Sequence, residues 1–451
     1  MTMNWPQLLK PYRFNQTLQE NGTSRTEFER DFDRVVFSES FRKLQDKTQV
    51  IPLPENDFVH NRLTHSLETS SVGRSLGRKV AEALLLKYPA LQNELSSYDI
   101  GCIVAAACLS HDIGNPPFGH SGEDAIREYF LNGKGKELEK EINNPKQWED
   151  LTNFEGNANG FKILCNYSGN EKGLRLTYPT LAAFSKYPKE SLPNYSDKKV
   201  CEKKFGFFQS EVSYFTDVAQ KLGLLNLRND GNLNWCRYPL AFLVEAADDI
   251  CYSIIDFEDG LNLKWIDLNY AKELLIPFVE FFDENKFDQL TLEGQIGFLR
   301  ASAIDSLTNE LAVIFMQNEE AILNGTFDKS LIKLSSKIHL IEKIKTITKE
   351  KVYRNRVVLE IEAAGFEVIS GLLHICIKAL NQHHEAHLDH SKIFYQSKKV
   401  IELIPEQFIG KNKIPNPDLY TRVMKICEFI SGMTDNAAIG FYRKLKGIQL
   451  G

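Results

Sequence analysis

The chain has no C-x-x-C pair, no apolar run long enough to cross a bilayer and no excess of positive charge, and each absence closes off a class of protein. Its eight cysteines (Cys102, Cys108, Cys165, Cys201, Cys236, Cys251, Cys376 and Cys427) are scattered, most of them in apolar helical contexts. That usage fits reduced thiols in a cytosolic core rather than a disulfide framework or a zinc ribbon. The longest apolar runs, such as 103–109, are too short to span a membrane. The opening Met1-Thr-Met-Asn-Trp-Pro lacks the basic stretch and apolar run of a signal peptide. A formal net charge of -6 over 451 residues disfavours nucleic-acid binding through bulk charge. It leaves room for a phosphorylated small molecule, because a local cluster of Lys, Arg and metal outweighs a mildly acidic surface. The expectation is a cytoplasmic globular protein with no membrane partner.

Also missing are βαβ alternation, a repeat of fixed period and a low-complexity linker, which argues against Rossmann and solenoid architectures. What is present is helical periodicity. Apolar residues recur at helical spacing over 28–44 and 66–86. Asp99 reads as the N-cap of a helix over 100–110, with Gly114 and Pro116 ending it. Ser121 reads as the N-cap of a helix running to Leu131, with Glu123 in its first turn. Residues 132–150 read as an exposed polar excursion, helix resumes near Asn157, and 240–261 forms a long apolar helix. Between these, 167–234 reads as loops and short elements, with a short hairpin around 173–176. Helices continue from 268 through 281, over 296–321 and over 331–347. The pattern predicts an all-α protein with few or no strands: a core over 1–261 and a C-terminal helical subdomain over 262–451 packed on it.

The chemistry concentrates in Leu109-Ser-His111-Asp112-Ile-Gly-Asn-Pro-Pro-Phe-Gly-His120-Ser-Gly-Glu123. An adjacent His-Asp pair at a helix end presents imidazole and carboxylate to one cation, and the Gly- and Pro-rich turn folds a second His-Glu pair back toward it. His65 is the best third ligand. Arg62 shares its helix face at i, i+3 and would set a guanidinium beside the metal, where a phosphate bridges both. The fourth ligand comes from Asp248 or Asp249, two adjacent acids inside an apolar helix that need a partner to be buried. Asp248, Tyr252 and Asp256 follow at i, i+4, i+8 as one polar stripe. Each piece has a bland reading on its own: a surface His-Asp pair, carboxylates paired with buried arginines, a turn histidine. The bland account has to be invoked separately at each place.

His65, His111-Asp112 and Asp248 together resemble the H…HD…D pattern of HD-domain metal-dependent phosphohydrolases. The segments Phe41-Arg-Lys-Leu-Gln-Asp-Lys-Thr-Gln49-Val, Arg62-Leu-Thr-His65-Ser, His111 to His120, Asn153-Phe-Glu-Gly-Asn157-Ala, Glu245-Ala-Ala-Asp-Asp-Ile, Val368-Ile-Ser-Gly-Leu-Leu and Ile430-Ser-Gly-Met-Thr-Asp resemble the deoxyguanosinetriphosphate triphosphohydrolase (dGTPase) family, in family order across almost the whole chain. The resemblance implies an HD-domain helical core and hydrolysis of dGTP or several dNTPs to deoxynucleoside and tripolyphosphate, with Mg2+ or Mn2+. It implies His65, His111, Asp112 and Asp248 as metal ligands and His120 with Glu123 as the catalytic pair beside the α-phosphate. It also implies Gln49, Tyr252 and Asp256 at the deoxyribose, and Lys186-Tyr187 at the phosphates, although the residues flanking that pair depart from the family pattern. Arg62 and Lys186 would offset the triphosphate charge. The family further implies a homo-oligomer, a hexamer first, and a single-stranded DNA or nucleotide effector. Two alternatives stand beside this reading: another HD phosphohydrolase (a nucleotidase or cyclic-nucleotide phosphodiesterase), and a silent HD protein that binds nucleotide or DNA.

His383, His384, His387 and His390 form a second cluster, of which His383, His387 and His390 fall on one helix face. The surrounding polarity favours a solvated helix end over a second metal site. The basic runs 343–356 and 392–399 read as solvated faces.

Overall fold

Capping chemistry written into the chain decides where its helices begin. The computed structural model describes residues 2–15, 25–50, 59–165, 173–194, 199–228, 230–392 and 394–448. Thr26 and Glu29 form a capping box at the start of α1 (Glu27–Val36). Asn61 opens α2 (Arg62–Lys87): its side chain accepts the Thr64 N–H at 3.0 Å while the Thr64 hydroxyl accepts the Asn61 N–H at 3.1 Å. The next helix, α3 (Ser97–Ser110), starts two residues before the expected cap. Ser96 is the N-cap, and Asp99 is its reciprocal partner in the box. Helix α4 (Gly119–Leu131) likewise starts before Ser121, because the chain turns through Phe118 in the left-handed region at φ 63°. Glu123 therefore lies beyond the first turn.

Other expectations fail for local reasons. The helix expected over 28–44 breaks after Val36, where Ser38 donates to the Val35 carbonyl at 2.8 Å and accepts the Phe41 N–H at 3.1 Å. A serine that satisfies backbone groups with its own side chain competes with helix continuation. The stretch 132–150 is mostly exposed as expected, yet it also holds a 3-10 turn (Lys134–Lys140) and the start of a helix (Pro145–Thr152) that buries Asp150 and Leu151. Residues 173–176 form no hairpin, and 166–172, where the expected loop region begins, lie outside the described residues. Among the described residues, β-structure amounts to three isolated bridges, so the fold is all-α.

Helices α2 and α3 pack along their length at close range. A Cβ on Gly77 would sit 3.0 Å from the Gly101 Cα, so the small residues permit this approach. Helices α5 (Gly156–Cys165), α6 (Tyr178–Phe184) and α7 (Ala241–Asn262) follow, and α7 crosses α2. Helices α8 (Leu292–Gln317) and α9 (Ile338–Thr348) cover α7, and all contribute to one apolar cluster reaching from Met3 to Val352. A second cluster joins α4 to α10 (Arg356–Leu388), α11 (Leu419–Ser431) and α12 (Asp435–Lys446). Helix α10 is long and apolar enough to cross a membrane by composition, but Ile369, Leu372, Leu373 and Cys376 are fully buried in this second cluster. All eight cysteines are free, and seven are buried. The turn that carries His111 to His120 runs from α3 in the first cluster to α4 in the second.

Candidate active site

Where the two clusters meet, three side chains from three helices converge. His65 of α2, His111 at the C-cap of α3 and Asp248 of α7 place one ligand atom each within 4.8 Å of one another. His65 Nε2 is 3.3 Å from Asp248 Oδ1, and His111 Nε2 is 3.6 Å from the same oxygen. Asp112 stands beside this group, with Oδ2 3.5 Å from His111 Nε2. Two ligands bound about 2.1 Å from one divalent ion stand roughly 3 to 3.5 Å apart, so these separations suit a shared cation. The His111 tautomer suits it too. Its Nδ1 is 2.6 Å from the Cys108 carbonyl, so Nδ1 carries the proton and Nε2 keeps a lone pair facing the carboxylates. Two imidazole nitrogens and two carboxylate oxygens form a donor set for a divalent metal.

The carboxylates are held ionised against burial. For Asp112, desolvation is outweighed chiefly by the Arg62 guanidinium, and its carboxyl sits at about 2. For Asp248, desolvation is outweighed by His111, His65 and Lys186, and its carboxyl lies well below the usual range. Arg62 Nη1 reaches Asp112 Oδ2 at 2.7 Å from an almost fully buried side chain. The neighbouring Asp249 faces Lys345 at 3.5 Å instead, and burial pushes its carboxyl up to about 6. The fold thus directs the first acid of the pair toward the histidines and the second toward α9.

Around this cluster opens a cavity of about 530 Å³, the size of a small-molecule site. Gln49, Arg62, His65, His111, Asp112, His120, Glu123, Lys186, Tyr187, Asp248 and Tyr252 all line it. Gln49 Oε1 is buried and has no hydrogen-bond partner among the described residues. Lys186 is held by Glu245 at 3.4 Å, and Glu245 in turn by buried Arg237 at 2.6 Å. Burial opposes the Lys186 charge, but Glu245 outweighs it and raises its pKa.

Two expected residues sit differently. Glu123 makes no hydrogen bond to His120 among the described residues. Its Oε1 accepts the Gly156 N–H at 2.6 Å, because the start of α5 offers a free donor to a buried carboxylate. His120 is exposed at the cavity rim. Asp256 does not line the cavity, because Tyr353 covers it and donates its hydroxyl to Oδ2 at 2.5 Å. Burial holds the Asp256 carboxyl well above its ordinary range. The Tyr353 ring lies 5.9 Å from Tyr252.

Lys204, Tyr353 and Glu362 also line the cavity, and the sequence pattern missed them. Lys204 pairs with Glu155 at 2.9 Å in a region without periodicity. Tyr353 ends a π-helical turn (Lys349–Tyr353), a feature with no sequence signature. The other histidine cluster does not gather: His383 Nε2 meets the Lys413 carbonyl at 3.0 Å, while His387 and His390 stand edge to face 6.4 Å apart.

Residues 62–153 match the HD domain family. The chain is 41% identical to a deoxyguanosinetriphosphate triphosphohydrolase-like protein of Synechocystis sp., over 99% of this chain and 100% of that protein. It is 36% identical to one of Pseudomonas aeruginosa over 99% of each. It is 31% identical to a deoxyguanosinetriphosphate triphosphohydrolase of Yersinia enterocolitica over 94% of each.

Proposed function

The chain belongs to the deoxyguanosinetriphosphate triphosphohydrolase family, and on that premise we propose that it hydrolyses dGTP or several dNTPs to deoxynucleoside and tripolyphosphate. The observation that carries this reading is the convergence of His65, His111 and Asp248 at one wall of a cavity that also holds Arg62, Lys186, Lys204 and His120. His65, His111, Asp248 and Asp112 would hold a divalent cation, Mg2+ or Mn2+, which would supply Lewis acidity toward a phosphoryl oxygen and a lowered pKa for bound water. In the reaction a water oxygen bonds to the α-phosphorus and gives up a proton to solvent, the bond from that phosphorus to O5′ breaks, and O5′ leaves needing a proton. His120 delivers that proton. Glu123, one helical turn away and anchored on the Gly156 N–H, is the second member of the pair. Arg62, Lys186 and Lys204 offset the charge of the triphosphate, and Tyr187 packs beside it. Gln49 and Tyr252 contact the deoxyribose. Asp256 acts there through the Tyr353 hydroxyl rather than by direct contact.

The protein works in the cytoplasm as a homo-oligomer, a hexamer first. Single-stranded DNA or a nucleotide acts as effector. The decisive experiment incubates the purified protein with each dNTP and NTP, with Mg2+ or Mn2+ in turn, and identifies the products by ion chromatography. Tripolyphosphate with free deoxynucleoside is the expected outcome. Release of orthophosphate or pyrophosphate instead would assign the chain to another HD phosphohydrolase activity.

A further inference from the structure

The last helix of the chain reaches both sides of the cavity through one carboxylate. Asp435 is the first residue of α12 and is 1% exposed. An acid at this position ordinarily serves its own helix, but Thr434 already caps α12 by accepting the Ala437 N–H at 3.2 Å. The Asp435 carboxylate turns away to two distant segments instead. Its Oδ2 accepts the Thr48 N–H at 3.0 Å and the Thr48 hydroxyl, and its Oδ1 accepts the Phe118 N–H at 3.1 Å. Thr48 immediately precedes Gln49 and bridges to Asn61, the cap of the helix that carries Arg62 and His65. Phe118 is the left-handed residue from which α4 departs, two positions before His120. Beside this contact, buried Lys47 donates to the Asn115 carbonyl at 2.6 Å and the Ser431 carbonyl at 2.7 Å. The 431–435 corner therefore holds the 47–49 segment and the 115–118 turn at once.

We infer that Asp435 is a positioning residue that sets His120 and Gln49 in register with each other across the cavity. The inference rests on the roles of those two residues in the reaction proposed above. Its chemistry is restrictive. Each carboxylate oxygen receives a backbone N–H, which cannot rotate to become an acceptor. An amide at this position must therefore point its NH2 at one of the two, whichever way it is turned. Asp435→Asn keeps the size of the side chain and breaks the clamp on one side.

The test compares wild type, Asp435→Asn and Thr48→Val, the last removing only the hydroxyl bond. Amide hydrogen exchange at Thr48 and Phe118 is read together with turnover of dGTP and of bis(p-nitrophenyl) phosphate, whose phenolate leaves without a proton donor. In Asp435→Asn the amide that loses its acceptor, Thr48 or Phe118, exchanges faster while those of α3 and α7 keep their wild-type rates. Its dGTP turnover falls roughly tenfold to a hundredfold, as expected for a misplaced proton donor. That loss exceeds the loss on the activated ester by about tenfold. Thr48→Val moves the same readouts in the same direction by less. Equal losses on both substrates, or unchanged exchange at both amides, would overturn the inference. If wild type makes no tripolyphosphate from any dNTP, the proposed reaction fails, and the exchange data decide the clamp alone. It stands if at least one of the two amides accelerates and falls if neither does.

Discussion

Glu245→Gln probes the support beneath the phosphate side of the cavity. The wild-type carboxylate sits between two cations, with Arg237 Nη1 2.6 Å from Oε2 and Lys186 Nζ 3.4 Å from Oε1. The Arg237 and Glu245 side chains are 2% and 6% exposed, and Arg237 also donates to the Lys186 carbonyl at 2.8 Å. An amide keeps the shape but leaves the guanidinium buried without a counter-charge, which costs about 3 to 5 kcal/mol. The Lys186 side chain is 28% exposed, so its share is small, on the order of 0.5 kcal/mol after solvent screening. Urea unfolding at neutral pH and fixed protein concentration reads this as a lowered midpoint with little change in slope. Replacing both partners, Arg237→Met with Glu245→Leu, removes the orphaned charge and should recover much of the loss. The pH dependence has a definite sign. The folded carboxyl lies below its ordinary value of 4.5, because Arg237 and Lys186 overcome the opposing desolvation. Its contribution is therefore complete above about pH 4.5 and fades as pH falls through the folded value. Wild type and variant should converge in acid. A neutral-pH loss under about 1 kcal/mol, or a double variant as unstable as the sum of the singles, would refute the reasoning.

The other expectations are shorter. His120→Ala retains metal but loses roughly a hundredfold or more in turnover on dNTPs, since O5′ leaves without a donor; turnover within a few-fold of wild type would remove His120 from that role. Asp248→Ala loses bound metal after dialysis whereas Asp249→Ala retains it, because Asp248 faces the histidines and Asp249 faces Lys345; elemental analysis decides between the two acids. Gly119→Ala lowers thermal stability by about 1 to 2 kcal/mol, since Gly119 holds φ +58° and a Cβ there would lie 2.9 Å from Arg62 Nη2. Calorimetry at matched concentration would expose an error in that placement if the midpoint stayed unchanged.

Much of this molecule is legible in the chain because it is local. Helical periodicity, which repeats within a turn or two, marks the apolar faces of α2 and α7. The spacing of Arg62 and His65 puts both on one face, and the adjacency of His111 and Asp112 brings imidazole and carboxylate together at a helix end. Even so, nearby side chains shift boundaries by a few residues, as Ser38 does in breaking the expected first helix and Ser96 in displacing Asp99 from the cap.

What tertiary structure alone decided is which distant group claims each polar atom. Of two adjacent acids, only the packing of α7 against α2 and α9 sends Asp248 to the histidines and Asp249 to Lys345. Glu123 was legible as an acid near His120, but its partner is the Gly156 N–H, 33 residues away. Asp256 was legible as part of a polar stripe, yet Tyr353 covers it from 97 residues further along. Asp435 reaches across 387 residues to Thr48. The sequence marked candidate residues and the helices that present most of them. Hydrogen bonds are short and directional, so a partner is chosen by whichever donor the packed helices bring within about 3 Å, and no local pattern encodes that distance.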